Sequence, residues 1–226
     1  MSKQAILNNV KASLRANALQ KATSHYTNPL KSTNQDKIQE YITFQSANKA
    51  QVIESSQTTL LADIQKVLFE ANARKILYNL DVQESVDIHT LSQGVQAYAD
   101  SINTESMAFI AYDTSIDKAR EELFEIDTSI VCARCGVANL GVIGIASHKN
   151  APRLSSLITR TCVVLLKKDD IVSNFFEGVQ VLKAQGTNGA LPSNMIFIAG
   201  PSRTADIELK TVFGVHGSVK SYIILY

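Results

Sequence analysis

The sequence predicts an α/β protein: a mostly parallel sheet flanked by helices, with a helical segment ahead of it. Three observations carry this. None of the ten glycines precedes Gly94, and Pro29 is the only proline in the first ninety residues, so the residues that most often break helices are nearly absent there. From about Lys75 onward, short apolar runs alternate with helical patterns. Such alternation implies parallel strands covered by helices.

The elements follow in order. Ile6, Leu7, Val10 and Leu14 form one helical stripe, and Ile38, Tyr41 and Ile42 begin another. The polar stretch Thr23 to Gln35 reads as the link between them. Leu60, Leu61, Ile64, Val67, Leu68 and Ala71 define a third helical face. Five runs suit strands buried on both sides: Ile76–Leu80, Met107–Tyr112, Cys162–Leu166, Met195–Ala199 and Tyr222–Leu225. A helix with Ile171, Val172, Phe175, Phe176 and Val179 on one side is expected between the third and fourth, capped by Asp169 or Asp170 and stopped by Gly186. The expected division is a helical segment over 1–58 and an α/β domain over 59–226.

The chain is 45% apolar and 19% charged, ordinary for a globular protein, and 22 basic residues almost balance 21 acidic ones. That balance offers no electrostatic case for nucleic acid or an anionic membrane. The apolar stretch Gly136–Ala146 is far short of the ~20 residues of a membrane helix. Three cysteines are too few for a disulfide scaffold, and no secretory h-region follows Met1. The expected location is the cytoplasm.

Met195-Ile-Phe-Ile-Ala-Gly-Pro-Ser-Arg-Thr-Ala-Asp-Ile-Glu208 holds the most chemistry. A strand runs into Gly200-Pro201, Ser202 or Thr204 can cap a following helix to about Phe213, and Gly214 can end it. Ligands of open parallel sheets bind outside the carboxyl ends of strands. At such an end, Ser202, Arg203 and Thr204 would make a site for a small carboxylate or phosphate, with Asp206 and Glu208 as further ligand-binding candidates. Those two acids also suit a first helical turn whatever the function, and Arg203 can pair with either. The same geometry puts His216 at the opposite end of the sheet from Arg203, ordering a turn or meeting a partner subunit.

Gly200-Pro-Ser-Arg-Thr-Ala-Asp-Ile-Glu208, followed by Gly214-Val-His-Gly217, resembles the hallmark of the lactate-utilization protein C family. The resemblance implies a fold akin to the NagB/RpiA/CoA-transferase-like group. It also implies a place beside partner proteins, at least one carrying iron–sulfur clusters, in oxidising L-lactate to pyruvate. No cofactor is expected in this chain. Two blocks depart from the family. Where it shows Ile-Ala-acid-Thr-Gly-Thr, this chain has Val137-Ala-Asn-Leu-Gly-Val142, so Asn139 stands at the position of the acid and cannot serve as a general base. Where it shows Leu-Pro-x-x-His, this chain has Ile158-Thr-Arg-Thr-Cys162. The alternative function is an independent enzyme of the CoA-transferase-like group acting on a small anion.

His25, His89, His148 and His216 show no metal-ligand spacing. Cys132-Ala-Arg-Cys135 with Cys162 falls one thiolate short of a four-cysteine cluster site, and small buried hydrophobic residues are the better reading. The glycines of Gly136–Gly144 lack the spacing of a nucleotide loop, and close backbone packing explains them.

Overall fold

A computed structural model describes residues 2–16, 36–113, 120–204 and 212–226. Helix α1 (Lys3–Ala16) carries the first expected stripe, with Ile6, Leu7 and Val10 exposed. The expected link at Thr23–Gln35 lies outside the described residues. Helix α2 (Lys37–Ala47) starts at Asp36, whose carboxylate accepts hydrogen bonds from the Ile38 and Gln39 amides. Strand β1 (Gln51–Glu54) follows, so the first 58 residues are not wholly helical. Helix α3 (Leu60–Glu70) buries Leu60, Ile64, Val67 and Leu68, the face read from the sequence. Strand β2 (Lys75–Asn79), helix α4 (Ile88–Ser101), strand β3 (Ala108–Tyr112) and helix α5 (Arg120–Phe124) come next, then strand β4 (Thr128–Cys132). Strand β4 was not among the expected strands, although Thr128, Ile130 and Val131 are β-branched.

Strands β5 (Cys135–Val137) and β6 (Val142–Ala146) form a tight antiparallel pair. Strand β7 (Thr161–Leu166) is buried throughout, as expected. Ile171–Val172 is a short strand β8, and helix α6 spans Phe175–Ala184. Its cap is therefore Asn174, not Asp169 or Asp170. Asn174 accepts from the Glu177 amide, and the Glu177 carboxylate accepts in turn from the Asn174 side chain and the Ser173 amide. Strand β9 is Met195–Ile198, β10 and β11 are the two-residue strands Arg203–Thr204 and Val212–Phe213, and β12 is Lys220–Leu225.

The main sheet has six parallel strands in the order β1-β12-β7-β4-β2-β3. Side chains alternate between its faces, as a pleated strand requires. Ile130, Val163, Leu165, Tyr222 and Ile224 face α3 and α4, joining Ile64, Leu68 and Val95 in one core. Val131, Cys162, Val164, Leu166, Ile223 and Leu225 face the other way, toward Tyr41 of α2 and Ile143 and Ile145 of β6. That second face is covered by α2 and a four-stranded sheet in the order β8-β5-β6-β9. Strand β9 was expected in the parallel sheet. It pairs antiparallel with β6 instead, and its residues are half-buried.

The glycines between 136 and 144 are required by contact: the expected close backbone packing occurs at Gly141, where a Cβ would lie 2.2 Å from the Gln45 amide nitrogen, while at Gly136 and Gly144 the neighbours are side chains. A Cβ on Gly136 would lie 2.8 Å from Leu166 and 2.9 Å from Tyr41, and one on Gly144 would lie 2.6 Å from the Cys135 sulfur. No helix among the described residues is long and apolar enough to cross a membrane.

Candidate functional site

The signature turn begins where β9 ends. Gly200 has φ +68°, and a Cβ there would lie 2.1 Å from the Asn48 carbonyl oxygen, so glycine is demanded twice. Beyond Pro201 the described residues form strands at both ends of the expected helix. Arg203–Thr204 pairs antiparallel with Val212–Phe213, Arg203 opposite Phe213 and Thr204 opposite Val212. The expected helix from Thr204 to Phe213 is thus replaced at both ends by a β-ribbon, in keeping with the strand preference of Thr204, Val212 and Phe213. Among the described residues Thr204 is in a strand, and neither it nor Ser202 is seen capping a helix. Asp206 and Glu208 lie outside the described residues.

The ribbon folds back on itself. The Ser202 amide donates to the Ser218 carbonyl (2.9 Å), the Gly214 amide to the Ser202 carbonyl (2.9 Å), and the His216 amide to the Ser202 hydroxyl (3.4 Å). His216 therefore sits beside Ser202 and Arg203, not at the other end of the sheet. A crossover helix would have carried the chain along the sheet and separated them. A ribbon returns it to its start.

Together these turns wall a cavity of about 370 Å³ between the two sheets. Its polar side includes Ser202, Arg203, His216 and Ser218, with Ser156 and Ser221 also on its lining. Ile143, Cys162, Val164, Phe197 and Ile198 supply its apolar side. Among the described residues that line it there is no carboxylate. Ser218 is 7% exposed, and its hydroxyl has no hydrogen-bond partner. A buried hydroxyl left unpaired forfeits ~1–3 kcal/mol, which a ligand acceptor would return.

Cys162 and Ser221 are the second residues of β7 and β12, so the cavity lies toward the amino ends of the parallel strands, not the carboxyl ends. Strand β9 does deliver the signature from its carboxyl end, but β9 belongs to the second sheet. Arg203 is oriented by Asn48, whose side-chain oxygen accepts from the guanidinium at 3.2 Å. The Asn48 amide group donates to the Leu140 and Gly141 carbonyls at 2.9 and 2.8 Å. Asn48 thereby ties the signature ribbon to the turn before β6. Asn139 sits in that turn, its side-chain oxygen buried and unpartnered, but it does not line the cavity.

The carboxyl ends carry a different group, which sequence reading missed. Asp81, just past β2, is fully buried at its side chain and 2.7 Å from Arg134. The Arg134 guanidinium also contacts His148 Nε2, which is 3.7 Å from Asp81. Burial outweighs Arg134 and raises the Asp81 carboxyl to about 6. Burial, then Arg134, lowers His148. Asp81 Oδ1 and the neighbouring Asn79 Oδ1 have no partner. An acid directly after a strand was the available signal for Asp81; Arg134 lay unnoticed inside the CxxC.

The cysteines pack. Cys135 is fully buried and Cys162 nearly so, and burial pushes the thiols of Cys132 and Cys135 up to about 12 and that of Cys162 to about 11. Reactive cysteines shift the opposite way. Among the described residues, no three His, Cys, Asp or Glu side chains are grouped to hold a metal ion.

A family model for the LUD domain matches residues 38–226. Over 109 residues the chain is 34% identical to an uncharacterised protein of Neisseria meningitidis serogroup B, covering 48% of this chain and 46% of that one. It is 30% identical over 118 residues to lactate utilization protein C of Bacillus subtilis (50% and 49% of the two chains). With lactate utilization protein C of Shouchella clausii it shares 32% over 116 residues (50% and 51%). The chain thus spans about half the length of the curated relatives it matches. A crystal structure of a DUF162 family protein from Deinococcus radiodurans aligns over 87% of this chain and 99% of that one, with a TM-score of 0.59 and 18% identity, and shows the same fold. With the match running from residue 38 through the signature turn to the last strand, the chain belongs to the LUD domain family.

Proposed function

We propose that this protein serves in L-lactate utilization, in the cytoplasm, and that its signature cavity binds a small carboxylate. The observation that carries the binding is the cavity itself. It offers Arg203, already oriented by Asn48, and the buried, unpartnered Ser218 hydroxyl, with no carboxylate on the described lining to compete. A guanidinium donating charge-assisted hydrogen bonds in a partly enclosed site suits a carboxylate. The metabolic setting rests on relatives named lactate utilization protein C. In this reading the chain acts beside iron–sulfur partner proteins, within a fold akin to the NagB/RpiA/CoA-transferase-like group, and supplies binding and orientation.

Three experiments test the proposal. A strain lacking the gene should fail to grow on L-lactate while growing on pyruvate, and normal growth on L-lactate would overturn the role. Affinity purification from native extract should recover an iron–sulfur protein with this chain. Recovery of the chain alone would remove the partnership. Inorganic phosphate displacing every carboxylate would reassign the cavity's ligand.

A further inference from the structure

The amino edge of the parallel sheet carries its charge unevenly. On the half formed by β4, β2 and β3, Arg74 pairs with Glu105 at 3.2 Å, Lys75 contacts Glu125, and the Asp127 carboxylate accepts from the Arg74 and Lys75 amides. On the half formed by β1, β12 and β7, Lys49, Lys220 and Arg160 stand exposed at or just before the strand starts. Among the described residues, none of these cations is in an ion pair. They are close together: the Lys220 amide donates to the Arg160 carbonyl at 3.1 Å, and Lys49 lines the same cleft as Lys220. Neighbouring strands lie about 4.8 Å apart, and like charges at that spacing repel, so the fold itself gains nothing from them.

Apolar side chains are exposed among these cations. Leu157, Phe213 and Val215 are 40%, 42% and 43% exposed. Phe213 shares its cleft with Lys49 and Lys220, while Leu157 and Val215 share theirs with Arg160. Val219 lines both clefts and a third beside Asp127, so the surface is continuous. Asp127 is the only described carboxylate on that lining, and backbone amides already engage it. Exposed apolar groups rimmed by charge make up a protein contact surface. Nucleic acid would draw on the cations and leave the aliphatic side chains unused. A two-fold pairing of this face with itself would set cation against cation.

We infer that the β1-β12-β7 half of the amino edge docks a partner protein whose contact face is apolar and ringed by carboxylates, with Phe213, Val215 and Leu157 against its apolar part and Lys49, Arg160 and Lys220 against its acids. Leu157, His216 and Gly217 also line the signature cavity, so the partner sits at the cavity rim. The inference is independent of the ligand that the cavity takes.

The test is zero-length carbodiimide crosslinking of the full-length chain in native extract, which joins a lysine only to a carboxylate in contact with it, followed by mass spectrometry of the joined peptides. Lys49 or Lys220 should be joined to an aspartate or glutamate of a different protein. That protein, purified, should bind the chain less tightly as salt rises from about 0.1 to 1 M, where the screening length falls from about 10 to 3 Å. The double variant Lys49→Glu, Lys220→Glu should weaken binding about tenfold or more and remove most of the salt dependence. Phe213→Ser should weaken it about fivefold or more with the salt dependence kept. Lys66→Glu, on exposed α3 surface, should leave it unchanged. Crosslinks from these lysines only to carboxylates of a second copy of this chain, capture that nuclease treatment abolishes, or no crosslink from either lysine would overturn the inference. If an iron–sulfur protein co-purifies but is joined through lysines elsewhere, the inference falls while that partnership stands.

Discussion

The two ends of the parallel sheet divide polar chemistry differently. At the carboxyl ends, Arg134 is paired with buried Asp81, the Lys168 ammonium donates to the Ser55 carbonyl at 2.6 Å, and the Tyr226 hydroxyl meets Ser85 at 2.8 Å. At the amino ends, the ribbon leaves Arg203 and several serine hydroxyls facing a cavity. Parallel sheets ordinarily bind ligands at their carboxyl ends. Here Arg134 is already matched by an internal acid, whereas no described carboxylate lines the cavity that Arg203 faces. On the proposed reading, the placement of the site follows from which groups the fold leaves unpaired rather than from strand direction alone.

The largest effect is expected at the glycine that starts the signature. Gly200→Ala must hold a left-handed residue and displace the Asn48 backbone, which should destabilise the fold on the order of 4 kcal/mol in urea unfolding. A loss under 1 kcal/mol would mean the turn is not built as described. At the opposite end, Arg134→Ala strands a buried carboxylate and should cost on the order of 3 kcal/mol at pH 8. Wild-type stability there would contradict the pairing.

The pH dependence of that end has a definite sign. Asp81 titrates at about 6 in the fold against an ordinary 3.8, so the folded state holds the extra proton. The stabilisation this brings is fully present below about pH 4 and is lost as pH rises through 6, in total ~3 kcal/mol. Comparing wild type with Asp81→Asn across pH 4–7 should show that slope in the wild type alone; parallel curves would refute it. Asn48→Ala removes one side-chain hydrogen bond to the ribbon and two to the turn before β6, and a loss of about 2 kcal/mol is expected by thermal unfolding. The smallest effect belongs to Arg203→Gln. Arg203 is exposed, so its stability should change by less than about 0.5 kcal/mol while carboxylate binding is lost.

Much of the parallel sheet was legible because strands buried on both faces read as continuous apolar runs; Cys162–Leu166 and Tyr222–Leu225 lie in its centre. Helix α3 was legible from one unbroken apolar face. Strand β4 escaped because Thr128 and Ser129 interrupt the apolar signal, although both are fully buried. Strand β9 is legible as a run but its sheet is not, since pairing partners are long-range facts that a local run does not carry. At the site, Ser202 and Arg203 are legible from the motif; Thr204, expected with them, is not on the cavity lining, and a helical reading of the ribbon misplaces His216. Ser218 and Asn48 gave no motif signal. Their importance comes from contacts across the fold, such as the 155-residue separation between Arg203 and Asn48.

The most direct test of the central claim is to map where a carboxylate binds, by amide chemical-shift perturbation on the isotopically labelled chain titrated with hexanoate. Perturbations centred on Ser202, Arg203, His216 and Ser218, absent in Arg203→Gln, are the predicted result. Perturbations centred on Asp81, Arg134 and His148 would place the site at the other end of the sheet and contradict the account.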